Sequence, residues 1–336
     1  MEPQKTVEAK VMSTMKMMLD CISKLTEGSL NLLLEVALQL LPCDEERPCC
    51  PHCGDAHVIK YGKKDGKQRF QCKNCCKTFM LTTNTIVAES HQPLSVWRKF
   101  VSDTLHFRPI DNSAQELGLS HQCAFHMRHK VLFALQDVYQ DNPTMLGDVT
   151  ELDETYVLES YKGQTIPSEA GRTARKHGAK AAKPGLSNEQ ICVCAGVQRS
   201  GTPFAIAVNR AKPSIAELKE AFEGHIDKGA MLLCDGLRGY SSLMTLTDCE
   251  VIDVNKADYK EKSFYNLNHI NNFHSFIKEK YRAWRGVATK YLNRYMTLLG
   301  AVYRTVSDSL DQILKCSQRC YYHSIREVKN AGLLLI

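Results

Sequence analysis

Two acids and one histidine stand where a polar side chain is costly unless it has a partner. Asp153 interrupts the strand-like stretch 147–157, Asp235 ends a second apolar run, and His274 lies in the helical stretch 268–278. A carboxylate inside a strand is costly unless a cation receives it. Two strand-borne acids followed by a polar ligand on a helix suit a site for divalent metal ions.

Taken singly, each of these residues has an ordinary structural explanation. A lone aspartate at a strand end is usually solvated, and a lone histidine on a helix usually packs in a core. The metal interpretation therefore depends on the elements around Asp153, and on whether the fold brings Asp235 and His274 to the same place.

The strongest local pattern is a set of two cysteine pairs. Two residues separate the cysteines of each pair, and the interval between the pairs falls in the range of about 15–20 residues that is typical of zinc sites. We predict a zinc ribbon over residues 48–80, with one structural Zn²⁺ held by Cys50, Cys53, Cys72 and Cys75. Cys49 and Cys76 are alternative ligands, but the preferred set gives both pairs equal spacing.

Basic residues lie within and between the two strands predicted in the ribbon, 58–62 and 67–71. We interpret four of them as contacts to DNA phosphates: Lys63, Lys64, Lys67 and Arg69. A solvated lysine face is the alternative interpretation.

Residues 90–140 have the pattern of a helix-turn-helix domain. A helix over 94–107 precedes a tight turn at Gly118, and Ser120 is a predicted N-cap for a helix over 121–135. We expect this last helix to expose His121, Gln122, His126, Arg128, His129 and Lys130. Of these, His121, Gln122, Arg128 and Lys130 are our candidate DNA contacts. A three-helix cluster of this kind also occurs as a plain structural module.

The elements that position Asp153, Asp235 and His274 lie in residues 147–305. After the first strand we predict strands over 190–197 and 202–208, a helix over 214–225, a strand over 231–234 and the helix that bears His274. This order indicates an α/β sheet of the ribonuclease-H type, with Asp153 and Asp235 on neighbouring strands.

A basic segment follows the first strand. Residues 162–189 are rich in glycine, alanine and basic residues and have few apolar anchors, so we expect a long mobile loop. Arg172, Arg175 and Lys176 in this loop are further candidate DNA contacts.

The bulk properties fit a globular protein of two or three domains. The chain has 336 residues, is 43% hydrophobic and carries a net charge of +6. The 15 cysteines, the lack of an apolar leader and the lack of a membrane-spanning run predict a cytoplasmic protein with reduced thiols and no membrane partner. Residues 1–47 form a predicted helical segment and residues 306–336 a helical tail, and the roles of both stay open.

Several motifs, in this order along residues 48–300, resemble one family. They are the zinc ribbon, the segments 153–157 and 159–163, Asp235-Gly236, the segment 271–278 and the segment 286–292. Together they resemble bacterial insertion-sequence transposases of the DDE superfamily, in the zinc-ribbon branch related to Merlin transposons. A sub-branch of that family has histidine as its third catalytic residue, within an Asn-x-x-His-Ser segment, as at Asn271 and His274 here.

The resemblance implies a ribonuclease-H-like catalytic core with an N-terminal helix, a zinc ribbon and a helix-turn-helix. Its catalytic set would be Asp153, Asp235 and His274 holding Mg²⁺ or Mn²⁺, with Asn271 and Lys278 beside them. Such an enzyme binds the terminal inverted repeats of its element and a target DNA, as a homodimer or larger homo-oligomer, in the bacterial nucleoid. The alternatives are a domesticated, non-catalytic DNA-binding protein and a metal-dependent DNA nuclease.

Overall fold

A computed structural model describes residues 48–304, except 142, 171–172, 174–180, 182–186, 237–238 and 257–262. The predicted helical segment 1–47, the tail 306–336 and the loop residues Arg172, Arg175 and Lys176 therefore lie outside the described residues. The chain divides after Leu81 into two compact units.

The first unit is a three-stranded antiparallel sheet. Its strands are β1 (Val58–Lys64), β2 (Lys67–Cys72) and β3 (Thr78–Met80), with β2 in the centre. The β1–β2 hairpin turns at Asp65 and Gly66, whose φ angles of 51° and 78° are those of a two-residue hairpin loop. Phe70 and Phe79 form its small apolar core with Cys50 and Cys72.

The second unit opens with three helices: α1 (Leu94–Leu105), α2 (Ile110–Glu116) and α3 (His121–Asp141). Gly118 has a φ of +64° in the turn between α2 and α3, a conformation that favours glycine. The Ser120 hydroxyl accepts a hydrogen bond from the Cys123 amide at 3.1 Å, as an N-cap does. The helix pattern and the cap are therefore as predicted.

A five-stranded mixed sheet forms the centre of this unit. Its strands are β4 (Val149–Leu158), β5 (Gln190–Gln198), β6 (Pro203–Arg210), β7 (Met231–Cys234) and β8 (Glu250–Asp253). The order across the sheet is β6-β5-β4-β7-β8. The first three strands are antiparallel neighbours, whereas β4, β7 and β8 run parallel. This is the arrangement of a ribonuclease-H-like sheet, which confirms the predicted fold class.

Helices α4 (Ile215–Phe222), α5 (Asn268–Ala283) and α6 (Leu292–Arg304) pack on the sheet. Short 3₁₀ turns lie at Ser168–Ala170, Tyr240–Thr245, Val254–Lys256 and Thr289–Tyr291. A capping box begins α4, where Ser214 and Glu217 satisfy each other's backbone N–H groups. Among the described residues, no helix is both long and apolar enough to cross a membrane.

Helix α3 is more deeply buried than the sequence suggested. It packs against α6, and Arg128, His129 and Lys130 are at most 4% exposed. Arg128 donates to the carbonyl of Arg108 at 2.7 Å, and Lys130 donates to the carbonyl of Ala88 at 3.0 Å. The expectation that α3 exposes these three side chains is wrong, because α6 and the chain before α1 cover them.

Candidate functional sites

The catalytic candidate Asp153 lies in the middle of β4, on the face that α5 covers. Successive side chains of a strand point to opposite faces, so Glu151 and Asp153 share one face and Leu152 and Glu154 the other. Leu152 joins the apolar cluster under α4. On the α5 side, the carboxylate of Asp153 is 22% exposed and lies within reach of His274.

Asp235 follows the last residue of β7. The parallel register pairs Glu151 with Leu233, so two residues further along Asp153 and Asp235 come level on neighbouring strands. The turn after Asp235 is closely packed, since a Cβ built on Gly236 would lie 2.6 Å from an oxygen of Asp253. The side chain of Asn255 also donates to the Asp235 carbonyl at 2.6 Å. Asp235 thus directly precedes a closely packed turn.

His274 is buried on the inner face of α5 and meets the first acid. Its Nδ1 lies 3.6 Å from Oδ2 of Asp153, and its Nε2 is buried without a hydrogen-bond partner among the described groups. Burial, assisted by the charge of Lys278, lowers the pKa of His274 to about 4. The imidazole is therefore neutral at ordinary pH, as a metal ligand must be.

The electrostatics of Asp153 are also perturbed. Its pKa is raised to about 6, mainly by burial and to a smaller extent by the charge of Asp235, while the Glu154 amide and Lys278 oppose the shift. An acid kept unfavourably ionised in a partly buried site is a candidate for binding a cation. The role of Asp153 as a metal ligand stays a prediction, with which this geometry is compatible.

The types of donor in this site fit a divalent metal ion. Two carboxylates and a neutral imidazole suit Mn²⁺ or Mg²⁺, and the unpartnered Nε2 of His274 leaves one donor unused. However, among the described residues only the four ribbon cysteines form a group of three or more ligands whose atoms all lie within 4.8 Å of one another. The structure thus joins Asp153 to His274 but does not draw Asp235 into a closed ligand cluster with them.

Asn271 and Lys278 flank His274 on the exposed side of α5. Asn271 lies about one turn before His274 and Lys278 one turn after it, and both are exposed. The charge of Lys278 acts on both Asp153 and His274. Both side chains are thus open to solvent within about one helical turn of His274.

Two further carboxylates near Asp153 were missed as site residues. Glu151 is fully buried and bonds to the first turn of α5. Burial, together with Asp153 and Asp235, raises the pKa of Glu154 to about 7. The alternation of β4 places Glu151 on the same face as Asp153 and could have indicated the first of them.

The four ribbon cysteines come together as predicted. The Sγ atoms of Cys50 and Cys75 are 3.6 Å apart, and so are those of Cys53 and Cys72. Four thiolates around one tetrahedral Zn²⁺, with Zn–S bonds of about 2.3 Å, would be separated by roughly 3.8 Å. The Cys75 amide donates to the Cys72 sulfur and helps lower the pKa of that thiol to about 7. The cluster could therefore bind zinc.

Zinc content tests the assignment of the ligands. Cys72→Ser should release the metal and unfold the ribbon, because a sheet this small depends on its ion. Cys76→Ser is the matched control, since the exposed Cys76 is outside the cluster and should keep one zinc per chain. Metal analysis of the purified proteins gives the answer, and full zinc retention by Cys72→Ser would refute the assignment.

The candidate DNA contacts divide into three groups. Lys63, Lys64 and Lys67 are exposed on the β1–β2 hairpin, whereas the guanidinium of Arg69 lies half-buried over the ring of Tyr61. His121 and Gln122 are exposed at the start of α3, where a recognition helix meets base edges, and His121 is bonded to Asp111 at 2.5 Å. Arg128 and Lys130 are buried, which is inconsistent with a direct contact to DNA.

Residues 145–304 match the ISXO2-like transposase domain family. A second similarity is to an uncharacterized protein in transposable element ISH50 of Halobacterium salinarum, which is 31% identical over 118 residues. That alignment covers 34% of this chain and 38% of the relative, so the chain spans well under half of the relative's length.

Some solved structures also show a distant likeness. The chain covers 79% of a protein in a pre-cleavage Mos1 transpososome at 10% identity and a TM-score of 0.24, and that alignment covers 66% of this chain. For a mariner Mos1 paired-end complex with Mg the identity is 12% and the TM-score 0.26, with 69% of this chain and 77% of the other covered. These scores are too low to support an inference.

The strand order is that of a ribonuclease-H-like domain, and the Asp153–His274 pair lies on its central strand and facing helix. The match to the ISXO2-like transposase domain family spans this domain, residues 145–304. The similarity to that transposase family is therefore shown for this part of the chain.

Proposed function

We propose that this protein is a DNA transposase that cuts and joins the ends of its own insertion sequence. The observation that carries the proposal is the pairing of Asp153 with His274, level with Asp235, inside a transposase domain. A strand acid, a second acid on the neighbouring strand and a histidine on the facing helix form the ligand set expected for this chemistry.

The side chains of the site would share the work as follows. Asp153, Asp235 and His274 would hold Mg²⁺ or Mn²⁺. A pair of such ions would activate the attacking oxygen and stabilise the leaving oxygen of a phosphodiester. The imidazole replaces a negatively charged ligand with a neutral nitrogen, which favours Mn²⁺ over Mg²⁺. Lys278 would neutralise a substrate phosphate, and Asn271 would orient the imidazole or a nearby water.

DNA binding would use exposed basic and polar groups outside the catalytic domain's core. The hairpin lysines 63, 64 and 67 would neutralise phosphates, and His121 and Gln122 would lie against base edges. The protein would act as a homodimer or larger assembly, because two element ends must be processed together. Arg128 and Lys130 are removed from the proposed interface, since both are anchored inside the fold.

A domesticated DNA-binding protein without activity is the competing interpretation. The pairing of Asp153 with His274, and the exposed Lys278 beside it, argue against it, because ligands without a function would not need to meet. A nuclease without strand joining would share the same site.

Duplexes carrying the inverted repeats that flank the gene distinguish an active enzyme from the domesticated form. Purified protein with Mn²⁺ should nick these duplexes at the repeat boundary. Absence of cleavage by folded, end-binding protein would favour the domesticated form.

Salt dependence tests the role of the ribbon lysines. The triple variant Lys63→Ala, Lys64→Ala, Lys67→Ala should weaken end binding and flatten the plot of log affinity against log salt, by about 0.9 for each phosphate that is no longer neutralised. Arg128→Met is the contrasting variant, because it keeps the volume of a buried side chain and should leave that slope unchanged. Fluorescence anisotropy over a salt series measures both, and an unchanged slope in the triple variant would remove the ribbon from the interface.

A further inference from the structure

The first turn of α5 is held by a carboxylate from the catalytic strand. Glu151 is 0% exposed and accepts hydrogen bonds from the amides of His269 at 2.8 Å and Ile270 at 3.1 Å. The ring Nδ1 of His269 lies 2.9 Å from the same carboxylate. Arg199 adds a positive charge, with its Nε 3.4 Å from Glu151. A buried carboxylate is thus fully engaged at the positive end of a helix.

The Glu151–α5 contact and the Asp153–His274 contact follow one another along the same strand and the same helix. Asp153 is two residues after Glu151 on the same strand face, an advance of about 6.6 Å. His274 is four residues after Ile270 on α5, an advance of about 6 Å. The distance from Glu151 to Asp153 along β4 is thus nearly equal to the distance from Ile270 to His274 along α5. For this reason, a helix held at Ile270 by Glu151 brings His274 level with Asp153.

Local sequence does not explain the contact. The residue before α5, Leu267, supplies no side-chain cap, and Asn266 accepts only from the amide of Asn268, at 3.2 Å. A serine or aspartate cap would stabilise the helix equally well without connecting it to β4. The next two amides instead reach a strand residue that is 118 or 119 positions away in the chain.

We propose that Glu151 is a positioning residue for the active site, which holds α5 on β4 so that His274 meets Asp153 in a single arrangement. The proposal rests on the proposed function, since it assigns His274 and Asp153 to a common metal site. At its other end α5 has a second attachment to β4, where the Tyr281 hydroxyl donates to the Leu158 carbonyl at 3.1 Å. Glu151 therefore controls the end of the helix nearer to His274.

The test uses the full-length, zinc-loaded protein with Glu151→Gln and Glu151→Ala. Mn²⁺ alone, titrated calorimetrically, should bind about 10–100-fold more weakly, as when a supporting partner of a metal ligand is removed. The kcat of cleavage should fall, whereas the affinity for element ends should stay unchanged. Hydrogen exchange in metal-free protein should be faster at the amides of His269 and Ile270.

Glu159→Gln is the matched control. Glu159 is a buried carboxylate just after β4, 5% exposed, and it bonds to Arg210 rather than to α5. Its substitution should lower the melting temperature but leave Mn²⁺ affinity at the wild-type value. A purely structural role for Glu151 predicts that both substitutions act on Mn²⁺ binding to the same degree.

Wild-type Mn²⁺ affinity and amide protection in folded Glu151→Gln would overturn the proposal. If Glu151→Ala fails to fold, His269→Ala removes only the ring contact and should give a smaller loss in the same direction. If the wild-type protein neither binds Mn²⁺ nor cleaves DNA, the proposed function fails. The amide exchange in metal-free protein still decides in that case whether Glu151 holds α5.

Discussion

Asp153→Asn should abolish end cleavage without weakening the fold. Removal of a supporting partner of a metal ligand costs about 10–100-fold, so removal of the central ligand should cost more than about 100-fold in cleavage rate. End binding should persist, because the proposed DNA contacts lie elsewhere. Single-turnover cleavage with Mn²⁺ and Mg²⁺ measures the first effect, and anisotropy the second.

The same substitution should raise stability in protein free of Mg²⁺ and Mn²⁺. Folding raises the pKa of Asp153 from 3.8 to about 6, so the ionised carboxylate destabilises the fold above that pH. The cost disappears as the pH falls below 3.8 and is on the order of 2–3 kcal/mol at neutral pH. Asparagine removes it, so chemical denaturation at pH 7 should show a gain that shrinks at low pH.

Asp253→Asn is the control for Asp153→Asn. The Asp253 side chain is 20% exposed against 22% for Asp153, but it bonds to the Asn255 amide and to Lys256. Most cleavage activity should survive this change. Equal loss of cleavage in both variants would mean that any acid at this edge of the sheet is required, and not Asp153 as a ligand.

His274→Ala should also abolish cleavage while end binding is kept. Cleavage and end binding should separate because His274 is buried against Asp153 inside the catalytic domain. Cleavage at the wild-type rate in both metals would make His274 a packing residue. The third ligand would then be sought nearby, first at Asn271.

His274→Glu separates the ligand role from the packing role. It places a second carboxylate beside Asp153, so the metal-free protein should melt at a lower temperature than the wild type. Mn²⁺ or Mg²⁺ should restore more stability to this variant than to the wild type, and any remaining cleavage should shift toward Mg²⁺, which prefers oxygen ligands. Thermal melts with and without each metal measure this, and a variant that metal does not stabilise would contradict the role.

The sequence was most informative where residue type and element pattern coincide. The cysteine spacing predicted the ribbon cluster, and the strand–helix order predicted the sheet that places Asp153 level with Asp235. The fifth strand, β8, was missed because Glu250–Asp253 is short and its burial does not alternate. Its position follows from parallel pairing with β7, a non-local contact.

The errors have a common physical source, which is that burial is decided by distant segments. Arg128 and Lys130 have the chemistry of DNA contacts, yet α6 and the chain near Ala88 cover them. Glu151 looks like an ordinary polar strand residue until the start of α5 is folded against it. No spacing rule within α3 contains that information, and the alternation of β4 places Glu151 on the face of Asp153 without showing that α5 contacts it.

Joining of pre-cut ends to a target tests the central claim most directly. Duplexes that end at the flanking inverted repeat with a free 3′-hydroxyl are incubated with a supercoiled plasmid, Mn²⁺ and full-length protein. We predict covalently joined products with the wild-type protein and none with Asp153→Asn. Folded, zinc-loaded, end-binding protein that joins nothing, or equal joining by Asp153→Asn, would contradict the account.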